Sequence, residues 1–242
     1  MSERIDFPFY DGKPVELTGR DWAIVIGAVG IAFVLLITLP LPDFPLSLVP
    51  PLLFAVLPLA ALAWVARRNW TALFHHYGIK QFGQSVGFAA LTIIASFAVG
   101  FVMSRFMPMA PNPTFSTTVS GSDLAILLLR SFIQLIGEEA VTILPLLAVL
   151  WLSVSKFGLP RRAGLWLGVL ISTVWFAAMH LPTYDWNVLQ CLGTIGTARL
   201  VLTASYLVTR NMAVSVGAHI LNDWTLFFIA FVGGHSPIET AV

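Results

Sequence analysis

The sequence predicts an all-α, polytopic bundle of about seven transmembrane helices, and three observations carry that reading. Of 242 residues, 57% are hydrophobic and only 10% are charged, whereas soluble domains carry about 25% charged residues. The mean hydropathy is +0.86. The apolar residues gather into long Leu/Ala/Val-rich runs that lack the alternation of barrel strands. The same composition disfavours a water-soluble enzyme, a disordered chain and a disulfide scaffold. The lone Cys191 cannot form an internal disulfide or half of a CxxC pair. A net charge of +1 gives no electrostatic case for nucleic acid.

Seven runs approach the roughly 20 residues that a bilayer requires: Asp21–Leu39, Leu46–Ala66, Ser85–Met103, Leu124–Leu152, Ala163–Leu181, Asn187–Val208 and Met212–Val232. Residues 1–20 form a polar tail with Glu3, Asp6, Asp11 and Glu16 among its basic residues. That is a poor signal-peptide n-region, and no small-residue cleavage site follows the first run, so the tail is expected to be retained. Residues 21–242 then form a single transmembrane domain. Arg4, Lys13, Arg20, Arg67, Arg68, Lys80, Lys156, Arg161, Arg162 and Arg210 fall on one side of these spans, and Arg105 alone on the other. The positive-inside rule therefore puts the N-terminus in the cytoplasm.

Two stretches depart from simple spans. Leu124–Leu152 is roughly 43 Å long as one helix, against a hydrocarbon core of about 30 Å. Pro145 is expected to kink or break it, and a break there could add a re-entrant element or an eighth span. Arg67–Phe82, with Trp70, Phe74, His75, His76 and Tyr77, reads as an interfacial helix with aromatic anchors. His75, His76 and His235 are read as interfacial or solvated.

Apart from Asp21 at the very start of the first span, five charged residues fall inside the spans: Arg130, Glu138, Glu139, Arg199 and Asp223. His180 and His219 join them. A charge at the centre of a span costs about 2.5–3.5 kcal/mol on insertion scales, so each is a functional candidate by default. They concentrate in the C-terminal half, which makes the first three spans read as scaffold. Glu138 and Glu139 are adjacent and point about 100° apart. One is expected to serve chemistry while the other is held in a hydrogen bond or ion pair. Close carboxylates in low dielectric raise at least one pKa, which suits a general base. The plainer alternative is a packing ion pair of a Glu with Arg130 or Arg199. His219 and Asp223 stand one turn apart on one face, with Asn222 beside them, so they can present convergent polar groups or a fixed tautomer. His180 by itself, a single His near a span end, is more often an interfacial or packing residue than a catalyst. There is no HExxH, P-loop, GxGxxG or GxSxG signature.

In order, the chain carries Glu138-Glu139 in one apolar span, Phe176-x-x-x-His180 in the next, and His219-x-x-x-Asp223 in the last. This pattern, over about residues 124–231, resembles the CAAX protease and bacteriocin-processing family of intramembrane proteases, which includes the CAAX prenyl endopeptidase. That family normally continues its glutamate pair as Glu-Glu-x-x-x-Arg. Here the Arg position holds Ile143, and Arg199 from another span is the better substitute, since Arg130 lies about 12 Å along the same helix. The resemblance implies an intramembrane endopeptidase acting on a membrane-associated peptide or protein. Glu138 and His180 would activate a water, and His219 with Asp223 or Asn222 would stabilise the oxyanion. The family is also labelled a metalloprotease. No cofactor is favoured here, but a divalent metal such as zinc, if present, would take Glu138, His180 and His219.

Two other readings compete: a non-catalytic membrane binding or immunity protein that keeps the site as a polar packing core, and an ion-coupled transporter. The first draws on Ile143. The second is opposed by the lack of repeat symmetry. The straight-span picture also separates His180 from His219 by about 15 Å in depth, a gap that tilt, a helix break or shifted span ends must close for one site to exist. The expected location is an integral position in a bacterial inner membrane, with the lipid bilayer and a peptide substrate as partners.

Overall fold

A computed structural model describes residues 6–112 and 121–235. Among them are no strands, and seven helices are long and apolar enough to cross a membrane. They are α1 (Gly19–Thr38), α2 (Val49–Ala66), α3 (Ile79–Met103), α4 (Gly121–Trp151), α5 (Arg161–Met179), α6 (Val188–Thr209) and α7 (Met212–His235). The predicted all-α bundle is observed.

Local chemistry sets the helix ends. Thr18 and Asp21 form a reciprocal capping box at the start of α1, with Thr18 N donating to Asp21 Oδ2 at 2.8 Å. Pro50 and Pro51 occupy the first turn of α2, where a missing N–H costs nothing. The connection after α2 is shorter than the interfacial helix expected over Arg67–Phe82. It is a 3-10 stretch over Arg67–Leu73, then extended chain, and Lys80 to Phe82 already belong to α3. Gly78 interrupts the helix and caps α3, its N–H donating to Gln81 Oε1 at 3.2 Å. His75 and His76 are exposed. The side chain of His235 lies outside the described residues.

The central element is α4. Of the most apolar window of its span, 72% is buried, against at most 39% in any other span. It packs on α2 and α5 and also meets α7. The helix runs without a break through Pro145, and a one-turn π segment over Leu152–Lys156 extends it. Neither an eighth span nor a re-entrant element forms at this proline. Neighbouring helices hold the proline turn in place, as is usual inside bilayers. A Cβ added to Gly168 of α5 would lie 2.8 Å from the Leu146 carbonyl oxygen, so the two backbones touch just past the proline.

The polar N-terminal segment is folded against this bundle. Phe7, Phe9, Tyr10 and Leu17 are buried in the main core. Asp6 forms a two-bond ion pair with Arg161, one bond being to Nη2 at 2.7 Å, and meets Arg210 Nη2 at 3.0 Å. The Phe7 ring packs under both guanidinium groups, at 5.3 and 5.5 Å. Burial alone would raise the Asp6 carboxyl, but the hydrogen bond and charge of Arg161, helped by Tyr10 and Arg210, hold it below its ordinary range.

Candidate active site

A cavity of about 830 Å³ lies among α3, α4, α5, α6 and α7, toward the ends joined by the α3–α4 and α5–α6 connections. Glu138, His180, His219, Asn222 and Asp223 all line it. The first three spans are therefore not all scaffold: α3 contributes wall residues such as Phe97 and Gly100. That wall carries no charge, so nothing in its sequence marked it.

The two glutamates divide as their 100° separation requires. Glu139 is fully buried and faces α6 and α7. Its carboxylate accepts Arg199 Nη1 at 2.6 Å and Nη2 at 3.0 Å, a bidentate pair between two side chains with no exposure at all. The Ser215 hydroxyl donates to the same carboxylate, and His219 Nδ1–H donates to Oε1 at 2.8 Å. Arg199 is fixed in turn by Thr203 Oγ1, at 3.1 Å from Nε, and it lies 5.1 Å over the Phe176 ring. The cation missing at Ile143 is thus supplied by α6, and Ile143 joins the apolar core.

Glu138 faces the cavity instead. Gln134, one turn earlier, donates Nε2–H to Oε1 at 2.9 Å. Oε2 lies 3.7 Å from His219 Nε2, beyond direct hydrogen bonding but close enough for one water to touch both. Gly137 permits this placement. A Cβ there would come within 2.5 Å of Phe54 Cδ1 and 3.0 Å of the Ala55 backbone nitrogen, so α2 rests directly on α4 behind the glutamates.

His219 bridges the two carboxylates. Because Nδ1–H is committed to Glu139, the ring orientation is set and Nε2 is turned to the cavity. There it sits 3.7 Å from Glu138 and 3.8 Å from Asp223 Oδ1. Asn222 Nδ2 donates to Asp223 Oδ1 at 2.8 Å, so these two share one polar edge. His180 caps α5, and its Nδ1–H donates to the Phe176 carbonyl at 2.8 Å. Phe176 stands beside both imidazoles, with centroids 4.6 Å from His180 and 6.2 Å from His219.

The depth gap between the two histidines closes, since both rings stand beside Phe176, and the α6–α7 turn is largely covered. Asn211 and Met212 are buried, and Asn211 Nδ2 donates to the carbonyls of His75 and His76 at 3.3 and 3.2 Å. Helix α7 therefore begins inside the protein, and a residue count from its start understates the depth of His219. Arg130, the other cation considered for a glutamate, is exposed and pairs with neither.

Two contributors went unread in the sequence, Gln134 and Ser215. Each stands four residues before a site residue, on the same helix face, and that i, i+4 spacing was the available signal. At the cavity rim, Tyr184 accepts a hydrogen bond from Asn112 Nδ2 at 3.2 Å. Burial pushes its hydroxyl pKa up while that bond opposes the shift, so it stays a neutral polar group.

The candidate zinc ligands do not fit as placed. Among the described residues no group of three His, Cys, Asp or Glu side chains is disposed to hold a metal ion. Only Nδ1 of His219 and of His180 is engaged, which leaves each Nε2 available, so the misfit lies in the spacing of the groups alone.

Residues 120–225 match the family model described as "Type II CAAX prenyl endopeptidase Rce1-like". This part of the chain is similar to that family. The matched stretch holds the six site candidates read from the sequence, Glu138 to Asp223, and it bears out the resemblance read from the Glu-Glu, Phe-x-x-x-His and His-x-x-x-Asp pattern. No curated protein and no solved structure matches the chain. With seven membrane-competent helices, the Rce1-like match supports a protease-type enzyme integral to a membrane.

Proposed function

We propose that the chain is an intramembrane endopeptidase that hydrolyses a peptide bond of a membrane-associated peptide or protein with its own glutamate and histidine side chains. The observation that carries this is the His219 imidazole set between two adjacent glutamates, Nδ1 on buried Glu139 and Nε2 beside cavity-facing Glu138. Glu138 is the general base for a water in the cavity. Glu139, neutralised by Arg199, positions His219 and stabilises the imidazolium. His219, resting as the imidazolium between the Glu139 and Glu138 carboxylates, donates Nε2–H to the oxyanion of the tetrahedral intermediate and keeps that proton throughout. His180, with Nδ1–H held by the Phe176 carbonyl, presents Nε2 as a second acceptor for the water. Asp223 is a poor oxyanion partner while ionised. Its role is to orient His219 from the cavity side, and Asn222 keeps a second amide hydrogen for the oxyanion. Glu138 returns the proton to the departing amine.

Arg199 also weakens the argument for a non-catalytic relative, since the cation lost at Ile143 is restored by another helix. With the basic end of the bundle in the cytoplasm of a bacterial inner membrane, the cavity mouth faces away from the cytoplasm. The test is to profile new peptide N-termini in membranes from cells expressing wild type or Glu138→Gln at matched levels. Membrane-proximal cleavages made only by wild type are expected. Identical profiles from two equally stable proteins would remove the protease reading.

A further inference from the structure

A second cavity, of about 260 Å³, lies at the other end of the bundle, between the N-terminal segment, the α2–α3 connection and the α6–α7 turn. Its charge sets it apart. Arg68 and Arg210 line it, and Asp6 is the only acid among the described residues that do. That acid is already engaged. Asp6 Oδ1 accepts from Arg161 Nη2 at 2.7 Å and meets Arg210 Nη2 at 3.0 Å, while Oδ2 accepts from Arg161 Nε and from the Tyr10 hydroxyl at 3.1 Å. Arg161 and Arg210 together already offset the one carboxylate, so Arg68 leaves this end of the molecule with surplus positive charge.

The Arg68 guanidinium makes no hydrogen bond or ion pair among the described residues, yet it lines this pocket. The 3-10 stretch Arg67–Leu73 holds it at the wall, with the Thr71 hydroxyl donating to the Arg68 carbonyl at 3.1 Å. The chain that follows is tied to the α6–α7 turn, since His75 N–H donates to Asn211 Oδ1 at 3.1 Å. Asn69, next to Arg68 in the wall, has a side-chain amide without a partner among the described residues. Pro8, Pro14 and Phe74 make much of the remaining wall apolar, and attraction between charges strengthens where such walls displace water. Phe74 also meets Trp70 edge-on at 5.8 Å, and a Trp at the end of a span is the usual marker of the lipid headgroup layer.

Size and setting point to the ligand. The pocket falls just below the roughly 300–1,000 Å³ of sites that enclose whole small molecules, so it suits one compact polar group. The planar fork of an arginine matches two oxygens of a phosphate, and phosphate is the compact anion that the headgroup layer supplies. We propose that this pocket binds a phosphate group, carried by an anionic phospholipid or by a soluble phosphate ester, with Arg68 as its main donor. Asn69 adds a hydrogen bond, and Arg210, still held by Asp6, adds charge. A phosphate held there ties the α2–α3 connection to the N-terminal segment and the α6–α7 turn. The site is independent of the peptidase reading, because it shares no residue with the catalytic cavity.

The test titrates purified full-length protein in neutral detergent with three probes, by calorimetry. They are dihexanoyl phosphatidylglycerol, dihexanoylglycerol (the same chains without phosphate) and glycerol 3-phosphate (the phosphate without chains). Wild type is expected to bind the phosphatidylglycerol about tenfold or more tightly than dihexanoylglycerol, the scale of one good charge-assisted pair. Arg68→Gln removes that preference and Arg68→Lys keeps part of it. Arg67→Gln makes the same change of net charge outside the pocket wall and leaves the preference intact. Asn69→Ala, which alters no charge, weakens phosphatidylglycerol binding about threefold. Because Arg68 is exposed, its variants should unfold near the wild-type midpoint, and Asn69→Ala tests the pocket separately. Glycerol 3-phosphate that binds as tightly as the lipid assigns the site to a soluble phosphate; weaker binding assigns it to a lipid headgroup. The proposal is overturned if neither phosphate probe binds better than dihexanoylglycerol. It is equally overturned if Arg67→Gln and Arg68→Gln weaken binding alike, since the attraction is then one of net charge alone.

Discussion

Removing Arg199 is the sharpest test of how the site is held. The Glu139 carboxylate has no exposure and four donated hydrogen bonds: two from Arg199, one from Ser215 and one from His219. Arg199→Met deletes the guanidinium that supplies two of them. Breaking a buried pair from one side leaves an uncompensated charge and costs about 3–5 kcal/mol. Against a total of about 5–15 kcal/mol for ordinary domains, that is a large fraction of the fold. The double variant Glu139→Gln/Arg199→Met removes both charges, and the side-chain carbonyl of the new amide can still accept from His219 and Ser215. It is expected to recover to within about 1–2 kcal/mol of wild type, since two neutral groups no longer carry the ionic desolvation term. The measurement is denaturant unfolding of purified protein in detergent, run on wild type, both single variants and the double variant as a cycle. Activity should not recover with stability, because a neutral amide in place of the carboxylate does not stabilise the imidazolium. A double variant no more stable than Arg199→Met would refute the reasoning, as the loss would then not come from an unpaired carboxylate.

Three further outcomes are expected. Glu138→Gln should lower cleavage by about 10²–10⁴-fold, the usual range for a general base, with an unfolding midpoint near that of wild type; a correspondingly large stability loss would make Glu138 a packing residue. Gly137→Val should cost about 1–3 kcal/mol by overpacking against Phe54 and Ala55 and should lower kcat as Glu138 is displaced; unfolding and single-turnover rates check it, and a variant matching wild type in both would contradict the close approach. Asp6→Asn should cost about 1 kcal/mol at neutral pH, because its ion pairs are only partly buried. Its folded carboxyl pKa is lowered, so that contribution is complete above the ordinary carboxylate pKa and disappears as pH falls through the folded value. Wild type and variant should therefore converge in stability once pH falls through that lowered value, and a difference undiminished from neutral pH into strong acid would sink the assignment.

The spans were legible because bilayer thickness imposes a length and a composition on every crossing helix. All seven predicted runs correspond to observed helices, with ends shifted by a few residues. Pro145 misled because intrinsic helix breaking was weighed without the packing of α5 at Gly168 that holds the turn. The N-terminal segment read as polar because seven of its twenty residues are charged, although Phe7, Phe9 and Leu17 are the ones that pack. The division of labour between Glu138 and Glu139, and the choice of Arg199, followed from helix phase and charge pairing. The placement of His219 between them did not, since it depends on how deep α7 begins, and the burial of Asn211 sets that depth through backbone partners 135 and 136 residues away in sequence.

The origin of the cation has a consequence for assembly. In the Glu-Glu-x-x-x-Arg pattern, the arginine stands one turn from the second glutamate and can reach it within one helix. Here the pair joins α4 to α6 across 60 residues of sequence, and Ser215 and His219 add α7 to the same carboxylate. An isolated α4 would carry Glu139 into the bilayer with no cation at that turn. The fixed imidazole, and with it the 3.7 Å spacing of Nε2 from Glu138, exists only once α4, α6 and α7 have docked. The ion pair that looks like a structural staple is therefore also what withholds a competent site until the bundle is complete, and that is why both roles converge on adjacent residues of the most buried helix.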